Sequence, residues 1–275
     1  MTKDERIAVF RENLELFADG EFPYRNETMY YDEDFRLEPL PGVRGGTRIE
    51  VVNRDCIGVT RELVEEGYDA AVLNMASRTN PGGGVENGSR AQEEQLCRRS
   101  NLLLSLYPFS RRHVAAYPEL GLGARKEQYP LHPRFGGIHT PDVTFFREGE
   151  DRGLRISAEP FTASVISVAG ISHPRLDARG LMGRQDEELT RDKMRTIFRI
   201  GMEHCHDALV LGALGCGAFA NPPAQIARLF HEVLAEPEFR DQFRRIVFAI
   251  LEDGNSIRNS REGNFLPFKR EFEKH

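Results

Sequence analysis

Glu93 and Glu94 are adjacent carboxylates, reached through the run "NPGGGVENGSRAQEE", which holds three consecutive glycines, Gly82, Gly83 and Gly84. Carboxyl side chains held beside a bound group can give and take protons. Glycine lets backbone approach such a group closely and reach dihedrals closed to other residues. Ser89 and Gln92 have the S-x-x-Q spacing of a capping box, which predicts a helix start directly after the loop. Backbone N–H groups at a helix start point outward with the positive end of the dipole and favour an anion. The run also reads as a plain turn leading into an acidic helix. Gly83 to Gly88 has the spacing of a phosphate-binding P-loop, but Ser89-Arg90 stands where Lys-Ser or Lys-Thr is required. No G-x-G-x-x-G occurs either, so phosphoryl transfer and a dinucleotide fingerprint are both disfavoured.

A second run, "LGALGCGAFANPP" at 211–223, repeats the design. Gly215, Cys216, Gly217 and Ala218 are small enough to let backbone wrap a pyrophosphate, and Phe219 could stack on a base or lie against a ribose. Pro222 and Pro223 suit the opening of the next helix. Alone, this run reads rather as a tight strand–helix connection with Phe219 in the core. Two such loops at the ends of parallel strands make a cleft sized for a diphosphate, with carboxylates on one side.

The elements that must position these loops follow from periodicity. Ile7, Phe10, Leu14 and Phe17 recur three or four apart and predict an amphipathic helix over 3–18. Residues 19–46 are rich in Pro, Gly and acidic groups and predict an irregular arm. "TRIEVVN" reads as a strand, "CIGVTRELVEEG" as a helix closed by glycine, and "DAAVLNMA" as a buried strand running into the first loop. A helix is predicted from about Arg90 to Leu106. "VTFFRE" and "TASVISVAG" are strand-like, "DEELTRDKMRTIFRIGMEHC" helical, and "DALVLGALG" a strand entering the second loop. "PPAQIARLFHEVLA" is helical, "RRIVFAILE" a strand, and "SREGNFLPFKREFEKH" a final helix. Alternating buried strands and amphipathic helices predict a layered α/β domain. Residues 1–45 form a helix and arm, and 46–275 one large domain.

Composition agrees. With 275 residues, 40% hydrophobic and 9% aromatic, the chain can bury an ordinary core. A formal net charge of −6 argues against a surface that holds nucleic acid mainly by its phosphates. The four cysteines, at 56, 97, 205 and 216, show neither metal-ligand spacing nor a secreted framework and read as reduced. No apolar stretch is long enough to span a bilayer, and the charged start is not a signal peptide. A cytoplasmic monomer is expected, with no membrane partner. "EHCH" at 203–206 is explained as structural, because neighbouring side chains on a helix cannot all face one ion.

The block "LNMASRTNPGGGVENGSRAQEEQLCRRS" resembles the signature of the bacterial-type poly(ADP-ribose) glycohydrolases, with GGG at 82–84, seven residues, then QEE at 92–94. "LVLGALGCGAFANPP" and "FRRIVFAILED" are similar to later blocks of that family, so the resemblance runs from about residue 46 onward. It implies a macrodomain-like three-layer α/β/α fold with a mixed central sheet, here with an N-terminal helical extension. It also implies cleavage of the ribose–ribose O-glycosidic bond of poly(ADP-ribose) to release ADP-ribose. No cofactor is expected, and no metal ion, because the sequence offers no cluster of oxygen ligands for one. Its partners would be the polymer, ADP-ribose and ADP-ribosylated proteins, within the DNA damage response. By the same resemblance, Glu94 is the catalytic acid/base, Glu93 holds the ribose on the leaving side, and Gln92 supports the pair. Gly82, Gly83, Gly84 and Val85 pack on the distal ribose and diphosphate, and Gly215, Cys216, Gly217, Ala218 and Phe219 form the second diphosphate loop. Asn74 and Asn80 flank the first loop, where one could bind ribose hydroxyls, and Asp55 matches an adenine-contacting Asp.

Neighbouring side chains on a helix diverge by about a quarter-turn, so Glu93 and Glu94 suit different tasks rather than the opposed pair of a standard glycosidase. Glu94, as the acid, must hold its proton near neutral pH, which asks for burial or neighbouring negative charge. Three other readings stay open: hydrolysis of mono-ADP-ribosylated protein or nucleic acid, recognition of ADP-ribose without cleavage, and a nucleotide phosphatase. The intact Glu pair speaks against a pure reader, since the fold alone does not imply catalysis.

Overall fold

The computed structural model describes residues 1–38, 42–43, 45–252 and 262–273. Its centre is a seven-stranded sheet in the order β1-β4-β5-β3-β6-β7-β2. The strands are β1 (Met29–Tyr31), β2 (Arg48–Val52), β3 (Ala70–Met75), β4 (Gly137–Arg147), β5 (Ile156–Val168), β6 (Ala208–Leu211) and β7 (Arg245–Ala249). β5, β3, β6, β7 and β2 run parallel, while β4 and β1 are antiparallel additions at one edge. The sheet is therefore mixed.

The central parallel strands β3, β6 and β7 are buried and largely apolar on both faces, as strands covered by helices on either side must be. Along β3, Ala71 and Leu73 join one core while Ala70 and Val72 join the other, and β6 and β7 alternate likewise. The first core is closed by α6 (Arg184–Glu203), α7 (Pro223–Leu234) and α8 (Phe265–Phe272), through residues such as Ile197, Phe230 and Phe268. The second is closed by α1 (Lys3–Ala18), α2 (Cys56–Glu65), α3 (Gln92–Arg99) and α4 (Leu102–Leu106), with the short α5 (Arg111–Ala116) outside them. The result is the expected three-layer α/β/α arrangement.

Three expectations need correction. The arm is not irregular throughout, because Met29–Tyr31 pairs with Gly137–His139 as the edge strand β1. The helix predicted over 90–106 breaks into α3 and α4 at Ser100, which is extended (φ −145, ψ 174). Ser100 bridges Phe145, and Asn101 exchanges backbone and side-chain hydrogen bonds with Thr144, so pairing with β4 outweighs local helix preference. The capping box at Ser89 does not form: the N-cap is Ala91 and makes no side-chain bond. The box the chain does form is Thr2 with Glu5, each capping the other's backbone N–H at the start of α1. Within the predicted final helix, residues 260–261 and 274–275 lie outside the described residues.

α1 is fastened to the site-bearing helix. Asn13 Nδ2 donates to the Arg98 carbonyl, and the Arg6 guanidinium donates to the Gly88 carbonyl of the first loop.

Candidate active site

The carboxyl ends of the five parallel strands open into one cavity of about 1030 Å³. β2 delivers Arg54, Asp55 and Cys56; β3 delivers Met75, Ser77, Asn80, Gly83 and Gly84; β5 delivers Gly170. β6 delivers Ala213, Gly215, Gly217, Ala218 and Phe219, and β7 delivers Ile250 and Leu251. Ligands of parallel α/β sheets sit at such strand ends, and a small-molecule site occupies roughly 300–1,000 Å³. α3 forms a wall with Gln92, Glu93, Glu94, Gln95 and Arg99, facing Gly149, Glu150 and Asp151.

Gln92 explains how α3 is placed. Its Nε2 donates to the Leu73 carbonyl at 2.6 Å, and its Oε1 accepts from the Met75 N–H at 2.9 Å. β6 pairs with β3 only over Ala70–Val72 on that edge, so the Gln92 amide takes the place of a missing strand partner. That engagement withdraws the side chain from the predicted cap.

The two glutamates then divide their tasks. Glu93 Oε2 accepts from the Ser77 N–H at 2.7 Å and Oε1 from the Gly82 N–H at 3.1 Å, so this carboxyl ties both ends of the 77–82 loop. Burial pushes its pKa up to about 8, helped by the charge of Glu94 and opposed by the Ser77 and Gly82 amides and Asn74. Glu94 Oε1 accepts from the Gly84 N–H at 2.8 Å. Its Oε2 is buried without a hydrogen-bond partner, although Glu94 lines the cavity. One oxygen is held, and the other is left for a ligand.

The glycines are required by space. Gly82 and Gly83 have φ of +77 and +58. A Cβ on Gly83 would collide with Glu94 Oε1 and lie 2.9 Å from Glu93 Oε2, so the loop can close on the carboxylates only without a side chain there. Asn80 Nδ2 donates back to the Gly83 carbonyl. In the second loop Gly215 has φ +73, and a Cβ there would strike Asn221 Nδ2, which donates to the carbonyls of Ile171 and Gly215. Gly170 meets Gly215 so closely that its own Cβ would lie 3.0 Å from the Gly215 Cα. The loops after β5 and β6 are thereby locked together. Pro222 and Pro223 open α7 as predicted.

Of the sequence-nominated residues, Asp55, Asn80, Gly83, Gly84, Gln92, Glu93, Glu94, Gly215, Gly217, Ala218 and Phe219 line the cavity. Asn74, Gly82, Val85 and Cys216 are not part of its wall. Asn74 is buried in β3, with Nδ2 donating to Ser167 Oγ on β5. Val85 and Cys216 are fully buried in the two cores. The Cβ position of Gly82 is taken by Leu103. Sequence reasoning missed Gly170, Ile250 and Leu251, which their position at the carboxyl ends of predicted strands could have flagged. It also missed Arg99, whose Nη1 donates to Asp55 Oδ2 at 2.9 Å, and no sequence signal marks that pairing.

Among the described residues, no group of three or more His, Cys, Asp or Glu is placed to hold a metal ion. α6 ends at Glu203, so His204, Cys205 and His206 lie beyond the helix the sequence reading assumed. Their role is structural: His206 Nε2 meets His139 Nε2 at 2.9 Å, and the His204 ring stacks on His139 with centroids 3.5 Å apart.

Comparison with known proteins agrees with this geometry. Residues 11–148, half of the chain, match the catalytic domain of microbial-type poly(ADP-ribose) glycohydrolase (PARG). The PARG crystal structure from Thermomonospora curvata is similar over 97% of this chain and 99% of that one, at 26% identity and a TM-score of 0.73. The same figures hold for that enzyme bound to the inhibitor ADP-HPD. PARG from Deinococcus radiodurans in complex with ADP-ribose is similar over 82% of this chain and 84% of that one, at 29% identity and a TM-score of 0.63. No match was found among curated proteins. A glycine loop folded onto a Glu pair, on a sheet shared along nearly its whole length with bacterial glycohydrolases, places this chain in the microbial-type PARG family.

Proposed function

We propose that this protein is a poly(ADP-ribose) glycohydrolase that hydrolyses the ribose–ribose bond of the polymer and releases ADP-ribose. The observation that carries the reading is Glu94, with Oε1 fixed by the Gly84 N–H and Oε2 buried and unpartnered in the cavity wall. The two glycine loops cradle the diphosphate, and their backbone approaches it where side chains would not fit. Cleavage builds positive charge at the anomeric carbon and negative charge on the departing oxygen. Glu94 protonates that oxygen, then takes a proton from the attacking water. The substrate's own diphosphate stabilises the cation. Glu93 keeps the loop closed beneath the ribose through its bonds to Ser77 and Gly82. Polymer attached to cytoplasmic proteins is the proposed natural substrate, in keeping with four free thiols.

The test uses purified poly(ADP-ribose), with products identified. The wild type should release ADP-ribose, and Glu94→Gln should lose about 10²–10⁴-fold in turnover. ADP-ribose affinity should change little. A Gln variant that keeps most of its rate would show that Glu94 is not the acid/base.

A further inference from the structure

The first loop is held at its far end as well as at its glycines. Arg98, on the last turn of α3, is fully buried, with 0% of the residue exposed, and it is not part of the cavity wall. Its Nη2 donates to the Ser89 carbonyl at 2.6 Å. The preceding carbonyl, that of Gly88, accepts from Arg6 Nε at 2.7 Å. Ser89 in turn closes on Gly84. Its N–H donates to the Gly84 carbonyl at 3.1 Å, and a Cβ on Gly84 would lie 3.0 Å from the Ser89 Cβ. The Gly84 N–H is the donor that fixes Glu94 Oε1. A closed circuit results, from Glu94 through Gly84, Ser89 and Arg98 and back along one turn of α3.

Arg98 follows Glu94 by four residues, so the two side chains are neighbours on one helix face, about 6 Å apart along the axis. Two of the Arg98 nitrogens, Nε and Nη1, are buried without a hydrogen-bond partner, and so is Glu94 Oε2. A buried guanidinium that is not fully bonded is costly unless an opposite charge stands near it. Burial lowers the Arg98 pKa, and the charge of Glu94 opposes that shift ahead of Cys97 and Glu150. The guanidinium therefore matters most while Glu94 is ionised. In the hydrolytic step that is the interval after Glu94 has protonated the departing oxygen and before it takes a proton from water.

We propose that Arg98 is a positioning residue for Glu94. It clamps the end of the glycine loop to α3, so that the Gly84 N–H stays on Oε1, and it sets a fixed positive charge beside the carboxylate formed in mid-reaction. This rests on Glu94 being the acid/base, as argued above. A charge held in place by burial needs no reorganisation when the carboxylate forms, which is how preorganised sites gain rate. Arg98 lies behind the cavity wall, so it acts on turnover through Glu94 and not on binding.

The test is a double-mutant cycle on poly(ADP-ribose), with ADP-ribose affinity from titration calorimetry. Arg98→Gln should lower kcat by about 10–100-fold while ADP-ribose affinity stays near the wild-type value. Arg98→Lys keeps the charge but not the fork of N–H groups and should recover part of that loss. In a Glu94→Gln background, where no carboxylate forms, adding Arg98→Gln should cost no further turnover. A merely structural Arg98 would lower the rate by the same factor in both backgrounds, or weaken ADP-ribose binding in proportion. Either result overturns the proposal, as does an unchanged kcat in Arg98→Gln. If Arg98→Gln does not fold by circular dichroism, Arg98→Lys runs the same cycle, with a smaller loss confined to the background that keeps Glu94. A Glu94→Gln enzyme that retains most of its rate removes the acid/base reading itself, a failure distinct from equal losses in both backgrounds.

Discussion

Replacing Gly83 with alanine tests the central geometry most directly. The new Cβ would sit inside contact distance of Glu94 Oε1, 2.9 Å from Glu93 Oε2 and 3.2 Å from Glu94 Cδ. Ordinary van der Waals separation is about 3.5 Å, so the Glu94 carboxylate must retreat by about 1 Å or the loop must lift by as much. Either response lengthens the Gly84 N–H bond that holds Oε1. A 1 Å misplacement of a reacting group costs on the order of 10²-fold in rate. The residue also keeps φ at +58, where an L side chain costs about 1–2 kcal/mol. At roughly 2–4 °C per kcal/mol for a chain of this size, the melting temperature should fall by only several degrees. The assay is kcat on poly(ADP-ribose) at 25 °C, with circular dichroism confirming that the variant is folded at that temperature. Gly123→Ala is the control, because Gly123 has a negative φ and nothing within 4 Å of its Cβ position. A folded Gly83→Ala protein that retained more than about a tenth of the wild-type rate would refute the claim that the loop holds Glu94 in register.

Two further outcomes follow from the same structure. Gln92→Leu strands the Leu73 carbonyl and the Met75 N–H, each worth about 1–3 kcal/mol when buried unpaired. Its urea midpoint should therefore drop clearly with the slope unchanged; an unaltered midpoint would show that α3 is held by packing alone. Burial, with His204 and His206 close by, depresses the His139 pKa to about 3, while in the unfolded chain it is near 6.5. Folding thus favours the neutral ring, so this contribution is complete above about pH 6.5 and is lost as pH falls toward 3, by up to about 1.4 kcal/mol per unit. His139→Gln should flatten the wild-type loss of stability between pH 6.5 and 4 in urea titrations, and parallel curves would contradict the assignment.

Much of the fold was legible because its signals are local. The 3–18 periodicity, the run from β2 through α2 to β3, and the strands that feed both loops depend only on which residues recur along the chain. Where local and distant interactions compete, the sequence misleads. Ser89 and Gln92 have capping spacing, as do Thr2 and Glu5, yet only the second pair forms the box. β3 claims Gln92 because two of its backbone groups would otherwise be left unpaired. The helix break at Ser100 and the edge strand at Met29–Tyr31 are likewise set by β4, over 30 and about 100 residues away in the chain.

The chemistry of this protein was written in its residue types: two glycine-rich loops after buried strands, and a Gln-Glu-Glu triplet at a helix start. Which carboxylate is free to act was not. Both glutamates are equivalent in spacing, and only folding gives Glu93 two backbone N–H partners while leaving Glu94 Oε2 unpaired. The same holds for Arg99 and Asp55, 44 positions apart and in contact only because folding brings the start of α2 to the last residue of α3. Composition and periodicity act between neighbours in the chain, whereas hydrogen-bond satisfaction in a buried site is decided by whatever backbone the tertiary structure brings within reach.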